Sequence, residues 1–181
     1  VHGASRFATK YPAYAFELPW IFETFPNARF VHMCRDGRDV AVSLRENEDQ
    51  IGARYDATYD EEGRLSMTYC AENWRTFVNA VRPYLDDARV YTVHYEDLAR
   101  NPEQTTLSLF SFLDVKQDLT AVQKHQRGLE GRTSSQHEHH QKLGQEIDDD
   151  RVGRWKSVLT DAQVERYEEI AGDELDLLGY R

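Results

Sequence analysis

With 181 residues, 40% of them hydrophobic and 12% aromatic, the chain has enough apolar material for one domain spanning residues 1–181 and too little length for two ordinary ones. Its 22 basic and 32 acidic residues leave a net charge of −10, which excludes a general nucleic-acid surface that works by neutralising many phosphates. No apolar run approaches the roughly 18 residues of a membrane span, and two cysteines are too few for a disulfide framework.

In chain order, Val1-His2-Gly3 offers neither an initiator Met nor a basic-then-apolar leader, so the start is expected to be a cut through a longer polypeptide. A short helix is predicted over Pro19–Phe25. Residues 28–34, Ala-Arg-Phe-Val-His-Met-Cys, read as a buried strand, and a helix is expected from Arg38 after the Asp36-Gly37 turn. The polar stretch 47–64 reads as loop with some helix. Met67, Cys70, Ala71, Trp74, Phe77, Val78, Val81 and Leu85 recur at spacings of three and four, which predicts a helix laid across a sheet.

Residues 88–94 form a second strand by the same criteria as the first. Asn101-Pro102 is expected to cap and open a helix over 103–113, with Leu107, Phe110 and Leu113 on one side. Residues 127–150 read as a polar loop with some helix. Thr160-Asp161-Ala162-Gln163 has the form of a capping box, and Val164, Tyr167, Ile170, Leu175 and Leu178 mark a buried stripe that Gly179 stops. Strands alternating with helices imply an α/β fold, a mostly parallel sheet covered on both faces. Cys34 and Cys70 fall on apolar faces and read as buried free thiols, in keeping with a reducing, cytoplasmic setting.

The segment Phe30 to Ser43 carries the most chemistry. Arg35 leaves the carboxyl end of a strand, where ligands bind in open α/β sheets, and a helix begins directly after it. A guanidinium can hold a phosphate through two charge-assisted hydrogen bonds, and a helix hydroxyl such as Ser43 can add a third. On spacing alone, Arg35 could equally pair with Asp36 or Asp39 to fix the turn. Tyr95 also sits at a strand's carboxyl edge, while Glu96 and Asp97 read as capping or ion-pairing residues. Arg151, Arg154 and Lys156 surround Gly153, where the backbone can approach a ligand closely. Trp155 reads as packing.

Arg35-Asp36-Gly37-Arg38-Asp39-Val40-Ala41-Val42-Ser43 resembles the 3′-phosphate-binding motif of the sulfotransferases. Thr9-Lys10-Tyr11-Pro12, Tyr95-Glu96-Asp97-Leu98 and Arg151-Val152-Gly153-Arg154-Trp155-Lys156 follow the family's order around it. The resemblance implies a three-layer fold of the phosphate-loop NTPase type and 3′-phosphoadenosine 5′-phosphosulfate as cosubstrate, with no metal. It implies Arg35 and Ser43 on the 3′-phosphate, Tyr95 by the adenine, Arg151 and the Gly153 backbone reaching the same phosphate, and Lys10 at the transferring group.

The sequence departs from the family pattern in three places. Pro12 stands where the cytosolic enzymes carry a general-base His, leaving Glu17 and His137 as candidate bases, with Glu138, His139 and His140 beside them. Asp148, Asp149 and Asp150 stand where those enzymes carry an Arg-Lys-Gly run. The strand, Gly-rich loop and helix that would receive the 5′-phosphosulfate are expected to be missing, Gly3 being the only glycine near the start. The histidine run at 137–140 lacks the i, i+4 pair of a helical zinc site.

The expected activity is sulfuryl transfer to a hydroxyl or amine on a small molecule, glycan or lipid. The −10 net charge disfavours a polyanionic acceptor. A non-catalytic module binding 3′-phosphoadenosine 5′-phosphate is the alternative, and a phosphate-loop kinase fragment a more distant one.

Overall fold

The computed structural model describes residues 6–47, 57–117, 120 and 149–181. A 3-10 helix, Pro12–Glu17, runs into helix α1, Leu18–Thr24, and strand β1, Phe30–Cys34, follows. Helix α2 is Gly37–Glu46 and α3 is Met67–Val81, with a 3-10 turn at Arg82–Tyr84. Strand β2, Val90–His94, continues directly into α4, Tyr95–Arg100, and then α5, Pro102–Leu113. A short helix α6, Trp155–Val158, and the long α7, Asp161–Leu177, complete the order.

The two strands pair in parallel, Phe30 with Val90 through to Cys34 with His94. The expectation of a mostly parallel sheet is met, among the described residues, by this two-stranded sheet flanked by helices. Both strands therefore end at the same level, and the residues that follow them, Arg35 and Tyr95, leave the sheet side by side.

Local chemistry explains several helix ends. Asp36 caps α2 by accepting from the Arg38 N–H, and Ser66 caps α3 by accepting from the Tyr69 N–H. Thr160 and Gln163 form the complete reciprocal box expected at the start of α7. At its far end Gly179 takes φ +76, and the Gly179 and Tyr180 N–H groups bond back to the Asp176 and Leu175 carbonyls. Asn101 differs from expectation: its side chain makes no cap bond, because residue 101 already closes α4, and Pro102 opens α5 without help. Tyr95–Arg100 was not predicted as a helix, being too short for periodicity to register.

Two cores hold these elements. In the larger, Cys70, Ala71, Trp74 and Val78 of α3 meet Tyr167, Ala171 and Leu175 of α7, all at most 7% exposed. In the smaller, Leu18 and Phe22 of α1 pack on Val81 and Val90. Each fully buried large side chain stabilises by roughly 1.5–3 kcal/mol before the entropy of ordering is set against it. Cys34 and Cys70 are buried free thiols. Burial pushes the Cys34 thiol up to about 11, so it is protonated at neutral pH.

Candidate functional site

The parallel register places the Arg35 guanidinium over the Tyr95 ring, 4.6 Å from its centroid. Arg35 Nη2 donates to the Arg151 carbonyl at 2.5 Å and lies 3.9 Å from Asp39 Oδ2. Its Nε is buried without a hydrogen-bond partner. An unsatisfied buried donor on a cation, at the carboxyl edge of a sheet, is what an oxyanion would complete.

Asp39 organises the opposite wall. Its side chain has no solvent exposure, accepts from Gly153 N at 2.7 Å and Trp155 N at 2.9 Å, and thereby docks residues 151–155 onto α2. Gly153 has φ +73 with open space where a Cβ would stand, so the backbone turn is what requires glycine there. Further along the same helical face, Glu46 pairs with Arg154 through bonds of 2.6 and 3.0 Å. Ser43 lies between Asp39 and Glu46 on that face and is half-buried.

The turn itself is rigid. Asp36 holds the Arg38 guanidinium through Nε at 3.0 Å and Nη2 at 2.8 Å, and Arg38 also reaches Glu168 at 2.6 Å. These partners outweigh the cost of burial and hold the Arg38 pKa up. The same guanidinium lies 3.9 Å over the Trp155 ring. Trp155 thus packs, as expected, but against a cation. Beside it a cleft of about 570 Å³ is lined by Arg38, His94, Glu96, Arg100, Gly153 and Tyr180 among others.

Arg35, Tyr95, Arg151 and Gly153 are thus brought together, with Ser43 one helical turn beyond Asp39 on α2, although Gly153 presents its N–H to Asp39 and Arg151 its carbonyl to Arg35. Asp149 and Asp150 are exposed. Lys10 and Glu17 are exposed near the start of the described chain, without a hydrogen bond or ion pair to this cluster among the described residues. His137, Glu138, His139, His140 and Asp148 lie outside the described residues. Among those described, no group of three or more His, Cys, Asp or Glu side chains could hold a metal, and no helix is long and apolar enough to cross a membrane.

Sequence reasoning missed Asp39 as the dock, and it missed Trp74 on α3 and Tyr180 beyond the end of α7, which contact the turn from distant parts of the chain. The position of Asp39, four residues after Arg35 and four before Ser43, was the available signal. Glu96 was expected to cap backbone groups, and it does so at Asp36 N, 2.9 Å away.

Residues 1–119 match the model of the Sulfotransferase family. A protein-tyrosine sulfotransferase of Drosophila melanogaster is 29% identical over 119 residues, covering 63% of this chain and 22% of that protein. A putative protein-tyrosine sulfotransferase of Caenorhabditis briggsae is 25% identical over 99% of this chain and 62% of its own length. An omega-hydroxy-beta-dihydromenaquinone-9 sulfotransferase of Mycobacterium tuberculosis is 29% identical over 59% of this chain and 28% of that protein. The chain thus spans 22–62% of the length of these relatives.

Among solved structures, the sulfotransferase domain from the curacin biosynthetic pathway superposes with a TM-score of 0.62 at 20% identity, over 92% of this chain and 62% of that one. A mouse sulfotransferase complexed with PAP gives 0.61 at 13% identity, over 89% and 63%. At these identities the likeness is one of fold.

Proposed function

The chain belongs to the sulfotransferase family, and from that premise we propose that it binds 3′-phosphoadenosine 5′-phosphosulfate and serves sulfuryl transfer to a hydroxyl acceptor. The observation that carries this reading is the Arg35 guanidinium, held over Tyr95 with its Nε buried and unsatisfied at the end of β1. In it, Arg35 donates to the 3′-phosphate, Ser43 adds a hydroxyl bond from the same wall, and Arg151 supplies a second cation. Tyr95 orients the guanidinium and borders the adenine. Gly153, with its N–H on Asp39, shapes the loop and does not itself donate to the phosphate.

When bound, the cosubstrate supplies an activated sulfuryl group on a phosphosulfate anhydride. Lys10, exposed and unpaired among the described residues, is the cation assigned to charge on the transferring group. Glu17 and His137 remain the candidate bases. The relatives named above act, by their names, on a protein tyrosine and on an omega-hydroxy-beta-dihydromenaquinone-9, both hydroxyl acceptors. Phe7 at 88% and Tyr11 at 62% exposure flank Lys10, a surface suited to an apolar or aromatic acceptor.

Calorimetric titration with 3′-phosphoadenosine 5′-phosphate, against adenosine 5′-phosphate and with Arg35→Ala in parallel, tests the nucleotide assignment. The expected result is binding that requires the 3′-phosphate and weakens at least tenfold in the variant, as for loss of a charge-assisted bond of roughly 1.5–3 kcal/mol. Equal affinity for both nucleotides would overturn it.

A further inference from the structure

The peptide joining Arg35 to Asp36 is held at both of its polar atoms. Its carbonyl, Arg35 O, accepts from Trp74 Nε1 at 3.2 Å, and its N–H, on Asp36, donates to Glu96 Oε1 at 2.9 Å. Because a peptide unit is planar, two bonds on opposite edges set its orientation and with it the direction in which the Arg35 side chain departs. The clamp joins α3 to the first turn of α4, across the end of the sheet.

Glu96 is only 8% exposed, so its carboxylate depends on partners. Its second oxygen accepts from the Tyr180 hydroxyl at 3.1 Å, and the same hydroxyl lies 2.9 Å from His94 Nδ1. Tyr180 is itself anchored. Its carbonyl accepts from Arg38 Nη2 at 2.7 Å, and its N–H bonds to the Leu175 carbonyl at 2.8 Å. Burial raises the pKa of its hydroxyl, which therefore remains a donor throughout the ordinary pH range.

We propose that Tyr180 is a positioning residue for the nucleotide site: through Glu96 it holds the Arg35–Asp36 peptide, and so the guanidinium, in the orientation that receives the 3′-phosphate. The role rests on Arg35 being the 3′-phosphate ligand, and Tyr180 does not itself touch the nucleotide.

Tyr180→Phe removes the hydroxyl while keeping the ring that packs edge-on against His94. Three quantities test the proposal: affinity for 3′-phosphoadenosine 5′-phosphate, amide exchange at Asp36, and amide exchange at Val78 in the core of α3. The expected outcome is about three- to tenfold weaker binding, the span of a net hydrogen bond, with faster exchange at Asp36 and an unchanged rate at Val78. Glu96→Gln, which keeps an acceptor oxygen for the Asp36 N–H, should leave Asp36 better protected than Tyr180→Phe combined with Glu96→Ala. Unchanged affinity in Tyr180→Phe overturns the proposal. So does weaker binding with Asp36 exchange unaltered or with Val78 accelerated equally, since the effect would then be general stability. A wild-type chain that does not bind the bisphosphate fails before any variant is made, and that result overturns the nucleotide reading itself.

Discussion

At Asp39 a carboxylate with no solvent exposure accepts two backbone N–H groups from residues more than a hundred positions away. Burying such a group is costly unless every lone pair is used, and two peptide donors with Arg35 alongside supply that compensation. An amide in its place can accept from only one of the two N–H groups and turns a donor toward the other. Asp39→Asn should therefore lower stability by about 1–3 kcal/mol, the cost of an unsatisfied buried donor, read as a lower urea midpoint with an unchanged slope. An unaltered midpoint would show that the dock contributes nothing. The spacing of Arg35 and Ser43 was legible because both lie on one short stretch of chain. The use made of Asp39 was not, because its partners arrive from the far end of the sequence.

At the level of elements, α2 begins where it does because Gly37 leaves room for it. A Cβ at Gly37 would fall 2.6 Å from Trp74 Cδ2 and inside contact distance of the Tyr167 hydroxyl. Neither ring can move freely, since Trp74 is also bonded to Arg35 O and Tyr167 is wholly buried. Gly37→Ala should cost about 1–3 kcal/mol by overpacking, seen as a lower thermal midpoint. It should also weaken bisphosphate binding, because the displaced helix start carries the Arg35 turn with it. A variant with wild-type stability and affinity would contradict the tight approach. The stripe on α3 and the capping box of α7 were readable from spacing, and both elements stand as expected. Helix α4 was not, because six residues directly after a strand give no repeat to detect, and the cap assigned to Asn101 failed because that residue already ends the preceding helix.

Across the whole molecule, the turn between β1 and α2 meets the C-terminal segment at the sheet's carboxyl edge. Arg38 binds the carbonyl of Tyr180, 142 residues on, and Arg35 that of Arg151, 116 residues on. Folding of the wall that carries Arg35 is thus coupled to docking of the C-terminal segment. Acid should weaken this assembly through the sheet. His32 on β1 is lowered from 6.5 to about 4, chiefly by burial and then by His94. Its neutral form is the native one, so the stabilisation is fully present above pH 6.5 and is lost as pH falls through 4, where the unfolded chain binds a proton the native state resists. Thermal midpoints between pH 7 and 4.5 should fall by the equivalent of about 1–3 kcal/mol, and His32→Asn should flatten that slope; an equal slope in both proteins would assign it elsewhere. The sequence by itself determined the family motif, the two strands and the principal helices, because periodicity, caps and motif spacing act over a few neighbouring positions. Only the tertiary structure decided that Asp39 docks residues 151–155 and that Trp74, Glu96 and Tyr180 meet around one peptide, because contacts between residues 39 to 142 positions apart leave no periodic trace in the chain.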